Sequence, residues 1–185
     1  MGLALQDKKI DNGIRMSFTS RDSPLYSVDC LNPLNFIQNI FVENQWEYQR
    51  NADDELYAEV EGRWALYHFS FLWRDDFQAL SLSCSFQLDL LKCDRESFYE
   101  VAARINECLW MGHFNVDCEG LSFSYRYTLP IRSGALDSVE QICEMIDTAF
   151  WECDRFYPVF SFVASGEKSP IEAIVSAMIE VQGEA

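Results

Sequence analysis

Only two histidines, His68 and His113, stand in the 185-residue chain, so acid–base chemistry near neutral pH has two places to begin. Cys108 and Asp117 lie near His113 in sequence, and these are the residue types that build a nucleophile or a metal centre. Their spacing straddles the end of a helix and the start of a strand, so nothing makes them converge, and a structural histidine is the simpler account. His68 falls beside Ser83 in the strand register argued below. A Ser–His pair there has no third member to orient the ring and no strained elbow for the serine. Gly166-Glu167-Lys168-Ser169 has the look of a phosphate loop, but it lacks the upstream glycine and Glu167 separates Gly from Lys; a helix start explains it better. The acidic runs Asp53-Asp54-Glu55 and Glu59/Glu61 lack the ordered oxygen spacing of a calcium loop and read as solvated turns and strand edges. No catalytic residue, metal ligand or cofactor is expected from these patterns.

Composition narrows the remaining classes. Hydrophobic residues at 49% and aromatics at 15% supply a real core despite a net charge of −16, and this length is that of one domain. The acidic balance repels phosphate backbones and anionic lipid, which sets nucleic acid and membranes aside as partners. The start, MGLALQDKK, has no apolar stretch of useful length, and no apolar run approaches the roughly 18 residues of a spanning helix. Gln6 stands where a myristoylation motif after Met1-Gly2 needs Ser or Thr. A cytoplasmic protein is expected. Seven cysteines, an odd count without a CxxC pair, fit a reducing compartment in which most serve as small core residues.

The elements follow from periodicity. Residues 1–30 carry mixed charge without sustained pattern and read as a flexible leader, ahead of a single domain at 31–185. Asn32-Pro33 opens a helix near 32–44, with Leu34, Ile37, Ile40 and Phe41 on one face. Four strands follow. A strand at Trp46 to Arg50 joins the next through an odd loop such as Asn51-Ala52-Asp53. A two-residue turn at Gly62-Arg63 places Val60 opposite Ala65, Ala58 opposite Tyr67 and Leu56 opposite Phe69. A turn at Asp75-Asp76 places Phe71 opposite Leu80, Phe69 opposite Leu82, Tyr67 opposite Cys84 and Ala65 opposite Phe86. Both turns send the same face of the central strand inward.

A second helix is predicted from Arg95 to Met111, opened by Asp94 and closed by Gly112, with Phe98, Val101, Ala102, Ile105 and Leu109 as its stripe and Tyr99, Ala103 and Trp110 as a partial second. A hairpin turning at Glu119-Gly120 sets Cys118 against Leu121, Val116 against Phe123 and Phe114 against Tyr125. The last third is helical: a capping box at Ser138 and Gln141 starts one helix, which Pro158 kinks or stops, and a fuller box at Ser169-Pro170-Ile171-Glu172 starts another. The order is therefore α-β-β-β-β-α-β-β-α-α, an α+β domain with an antiparallel sheet of about five to six strands and helices packed on it.

Several segments together resemble the bacterial YbjN family: Asn32-Pro33-Leu34, Asp53-Asp54-Glu55-Leu56, Ala58-Glu59-Val60-Glu61-Gly62-Arg63-Trp64, Trp73-Arg74-Asp75-Asp76, Ile105-Asn106-Glu107, Leu109-Trp110, Gly112-His113-Phe114 and Lys168-Ser169-Pro170. The resemblance covers Asn32 to Ala185 in order. It implies a fold like that of type III secretion chaperones and a non-enzymatic role in bacterial sensory-transduction regulation. It carries no site residues, because the family has no agreed active site.

The second face of the sheet is the candidate partner-binding surface. It presents Trp64, Leu66, His68 and Leu72 on one strand against Ser85, Ser83, Ser81 and Ala79 on the next, with Tyr57 beyond. Small residues beside large apolar ones make a shallow furrow, and exposed apolar patches mark binding sites. The expectation is a chaperone-like binding module that recognises another protein or forms a homodimer. A helix covering this face is the structural counter-reading. A small-ligand sensor and a hydrolase-type enzyme using His68 or His113 are the functional alternatives.

Overall fold

The computed structural model describes residues 32–88, 95–117, 122–131 and 135–183. Helix α1 (Pro33–Glu43) starts as predicted: the Asn32 side chain accepts a hydrogen bond from the Leu34 N–H, and proline occupies the first turn. Strands β1 (Glu47–Ala52), β2 (Glu55–Glu61), β3 (Leu66–Arg74) and β4 (Ala79–Phe86) follow, then α2 (Arg95–Asn106), β5 (His113–Asp117), β6 (Ser122–Pro130), α3 (Ala135–Ala164) and α4 (Pro170–Gly183). The predicted order holds element for element. The strands form a six-stranded antiparallel sheet in the order β1-β2-β3-β4-β6-β5.

One residue in two along each strand points to the helices. Leu56, Ala58 and Val60 on β2, Tyr67, Phe69, Phe71 and Trp73 on β3, Leu80, Leu82, Cys84 and Phe86 on β4, and Phe123 and Tyr125 on β6 are all buried. They join Leu34, Ile37 and Phe41 of α1, Phe98 and Val101 of α2, the buried stripe of α3 and Ala173 of α4 in one core. The helices thus share one face of the sheet.

The predicted faces survive, but both hairpin registers shift by two. Val60 pairs with Tyr67, Ala58 with Phe69 and Leu56 with Phe71, while Phe71 pairs with Leu82, Phe69 with Cys84 and Trp73 with Leu80. The connections are four residues long, Gly62–Ala65 and Asp75–Gln78, not two. The Gly62 N–H donates to the Ala65 carbonyl at 3.0 Å, closing the first loop. In the second, the Phe77 and Gln78 N–H groups donate back to Arg74 and Asp75, and Gln78 takes a positive φ of 48°. A shift by two preserves side-chain parity, so Tyr67, Phe69, Phe71 and Trp73 stay inward, while Ala65, expected opposite Val60 and Phe86, ends the loop half-buried. Between β1 and β2 the odd residue is supplied by a register irregularity between Arg50 and Ala52, with Asp53-Asp54 left as the turn.

Helix α2 ends at Asn106, not Met111. The Asn106 side chain donates to the Phe114 carbonyl at 3.0 Å and accepts from the Phe114 N–H at 2.7 Å, binding the helix end to β5 as a strand neighbour would. The β5–β6 pairs Val116–Phe123 and Phe114–Tyr125 are as predicted, while the Glu119-Gly120 turn, the Cys118–Leu121 pair and the Asp94 cap lie outside the described residues. So do the leader, and the Ser138 side chain of the first capping box. Helix α3 begins at Ala135 and runs through Pro158 to Ala164. Interior proline costs about 3 kcal/mol, but Phe156, Val159, Phe160 and Val163 around it are buried, and each large apolar side chain so placed returns about 1.5–3 kcal/mol.

Candidate functional site

Residues opposite the core form three polar rows across the sheet. One reads Glu47, Glu59, His68, Ser85, Ser124, Asn115; the next reads Gln49, Tyr57, Ser70, Ser83, Arg126, His113; a shorter one reads Glu55, Leu72, Ser81, Thr128. Among the described residues no helix packs against these rows, since all four contribute to the core on the other side. This is the face on which the partner-binding residues were expected.

Seven of those eight residues are on it. Tyr57 and Leu66 are 37% and 44% exposed. Leu72 is half-buried between Glu55 and Ser81. Ser81 shares a hydrogen bond with Thr128 across β4–β6, Oγ to Oγ1 at 3.0 Å. Ser83 pairs with Ser70, and Ser85 with His68, so the expected His68–Ser83 neighbourhood is displaced by the two-residue register shift. His68 instead places Nδ1 3.3 Å from Oε1 of Glu59. Trp64 is the exception. It stands in the Gly62–Ala65 loop at the end of the face, 45% exposed, with the Arg63 guanidinium 4.8 Å above its ring.

That loop is held from 91 residues away in sequence. Oδ1 of Asp154, on α3, accepts from the Arg63 N–H and from the Tyr67 hydroxyl, each at 3.0 Å. Burial, and then the Asp154 charge, push the Tyr67 phenol well above its ordinary pKa, so it stays a donor. Glycine at 62 is required by contact: a Cβ there would stand 2.2 Å from the Tyr67 ring. A second corner repeats the device. The Tyr125 hydroxyl donates to the Met111 carbonyl at 2.6 Å. Gly112, at φ +64°, leaves no room for a Cβ beside that hydroxyl. The segment so fixed displays Trp110, 99% exposed, and Met111, 41% exposed. Periodicity put Trp110 on a helix stripe; the signal against this was Asn106, a poor interior helix residue that bonds readily to backbone.

The chemical candidates do not assemble. Asp117 lies four strand residues beyond His113, about 13 Å at strand rise, and the Cys108 thiol donates to the Arg104 carbonyl. His68 and His113 are three strands apart, about 14 Å at the usual strand spacing. Among the described residues no three His, Cys, Asp or Glu side chains gather to hold a metal ion. The Lys168 ammonium donates to Ser176 Oγ at 2.9 Å and stands 3.9 Å over the Phe162 ring. Ser169 and Glu172 bond reciprocally as a capping box. The lysine and serine are thus committed to the α3–α4 connection and not to a phosphate.

Carboxylates concentrate at the β1–β2 edge of the open face, where Glu47 stands opposite Glu59 and Glu55 and Glu61 flank them on β2. A shallow recess of about 330 Å³ lies there, between Glu47, Glu59 and Glu61 and over Trp46, Val60 and Leu66.

Comparison with known proteins bears on the family. No helix among the described residues is long and apolar enough to cross a membrane. No curated protein matches the chain. A solved structure with similarity is "Crystal structure of YbjN, a putative transcription regulator from E. coli", at 10% identity and a TM-score of 0.43, covering 65% of this chain and 85% of that one. The YbjN family profile, described as "Putative bacterial sensory transduction regulator", matches residues 33–162, from the first turn of α1 through most of α3. With well over half of its length inside that match, the chain belongs to the YbjN family.

Proposed function

We propose that this chain is a non-enzymatic regulatory module that binds another protein through the open face of its sheet. The observation that carries the reading is the one-sided packing: four helices share one face, while the other, among the described residues, is covered by no element and exposes Tyr57, Trp64 and Leu66. Large apolar side chains left exposed on a sheet face that no described element covers mark it as a place for a partner. The shape is chaperone-like in the sense the family resemblance implies, the compartment cytoplasmic, and the working unit residues 31–185 with 1–30 as a leader. Self-association through the same face is the second arm of this reading. The family description, a regulator, favours binding over catalysis.

Co-purification from the native host, comparing wild type with Leu66→Asp and Trp64→Ala, tests the first arm. A captured protein lost with both substitutions is expected; equal recovery in all three removes the face. Mass in solution at high concentration tests the second arm, and a strict monomer ends it. An enzyme built on His68 or His113 would require activity lost in His68→Ala or His113→Ala, and a small-ligand sensor would require a thermal shift with a metabolite.

A further inference from the structure

The open face is electrically lopsided, and the imbalance names the partner's chemistry; the inference rests on the protein-binding reading above. On the β1–β2 edge Glu47 faces Glu59 directly, a like-charge cross-strand pair that costs stability. The arginines of that half are engaged elsewhere: Arg50 with Asn35, Gln38 and the Asp53 carbonyl, Arg74 with Asp76, and Arg63 over Trp64. The His68 imidazole stands 3.3 Å from the Glu59 carboxylate. The β4–β6 half carries no carboxylate among these pairs, being built from serines, a threonine and one cation, Arg126.

We infer that the β1–β3 half of this face seats a cationic, amphipathic segment of a partner protein, with Lys or Arg side chains spaced between apolar ones. Glu59 and Glu61 supply the counter-charges, while Tyr57 and Leu66, 37% and 44% exposed, supply the apolar contact. The recess between Glu47, Glu61 and Leu66 suits a long cationic side chain, whose methylene stem lies along Leu66 while its head reaches the carboxylates. A net charge of −16 draws such a segment in. A second copy fits less well, because it offers a single cation, Arg126, to the edge carboxylates and brings its own net charge of −16 against another of the same sign.

The test uses the full chain and a fluorescein-labelled ten-residue peptide alternating Arg and Leu, read by anisotropy at low and physiological salt, with a Glu–Leu peptide as control. Wild type should bind the Arg peptide, and Glu59→Gln/Glu61→Gln should weaken it about tenfold or more. Glu96→Gln/Glu144→Gln, which removes the same charge from the helix side, should change it less than about twofold. Equal weakening by the two pairs, or binding of the Glu peptide as well, overturns the inference, since bulk charge or greasiness would then suffice. A mass that doubles in wild type but not in Glu59→Gln/Glu61→Gln also overturns it, in favour of a second copy. Gain of peptide binding on Lys8→Glu/Lys9→Glu overturns it in favour of the chain's own residues 1–31 as occupant. If a native partner is lost with Leu66→Asp but kept with Glu59→Gln/Glu61→Gln, the cationic inference falls and the face stands. If it is kept with both, both fall.

Discussion

Two neighbouring rows of the same sheet, one residue apart along every strand, are built from different chemistry. Tyr48, Ala58, Phe69, Cys84, Tyr125 and Phe114 make one row; Glu47, Glu59, His68, Ser85, Ser124 and Asn115 make the next. In the first, Phe69, Cys84 and Tyr125 are sealed from solvent under the helices. In the second, serines keep the surface shallow and carboxylates guard the β1 edge, a way of preventing sheet-to-sheet association. The difference shows where stability lives and where recognition can live, because only the second row can change without rebuilding the core. It also isolates the anomaly on the open side: Tyr57, Leu66 and Leu72 are apolar where solubility alone would prefer polar residues.

The sharpest way to break that contrast is to truncate adjacent residues on β3. Phe71 is fully buried and rings with Phe41 at 5.7 Å and Phe69 at 6.1 Å. Phe71→Ala should cost about 3–5 kcal/mol in urea unfolding, whereas Leu72→Ala, half-exposed on the other side, should cost about 1 kcal/mol or less. Equal losses would mean that something covers the second face as tightly as the helices cover the first.

The next effect concerns the polar tie between the layers. Asp154→Ala strands the buried Tyr67 hydroxyl and frees the Arg63 N–H, so a loss of about 1–3 kcal/mol is expected, with Tyr67→Phe milder because it removes the donor with its partner still near solvent. Trp64 fluorescence should become more mobile in Asp154→Ala alone. The same tyrosines set an alkaline limit. Burial raises the Tyr67 and Tyr125 phenols above their ordinary pKa, helped by Asp154 and by Glu152 respectively. In the unfolded chain they lose their protons near pH 10. The native state therefore binds more protons above that pH, and stability must fall as pH rises through 10 and beyond. Tyr67→Phe should flatten part of that slope, which a urea series from pH 8 to 11 would read.

Which parts of this were legible in the sequence follows from the length scale of each signal. The faces were, because alternation has period two and both hairpins differ from the two-residue turns by an even number: Phe69 and Phe71 stay inward with either register. The loop lengths were not. Gly62 looks like a two-residue turn, yet it is glycine because the Tyr67 ring lies against it, and the Asp154 that fixes the ring is far away in the chain. Trp64 consequently moved from a strand to a loop. Helix α2 stops at Asn106, short of Met111, for a related reason, since the side chain of Asn106 finds its partner only once β5 is beside it. The Ser169–Glu172 box was readable because all its atoms lie within four residues; Ser169→Ala should cost about 1 kcal/mol.

The smallest expected change is the most informative about function. Leu66 is 44% exposed and lies beside Glu61 at the mouth of the recess. If its role were packing, Leu66→Ser would destabilise; if it is kept apolar for a partner, the substitution should shift unfolding by no more than about 0.5 kcal/mol, as at other open surface positions. Solubility should rise, since an apolar patch is removed from a face that nothing described covers. A midpoint unchanged in urea, together with loss of the bound partner, is the outcome that separates a recognition residue from a structural one. A loss above about 2 kcal/mol would place Leu66 in the core's accounting instead.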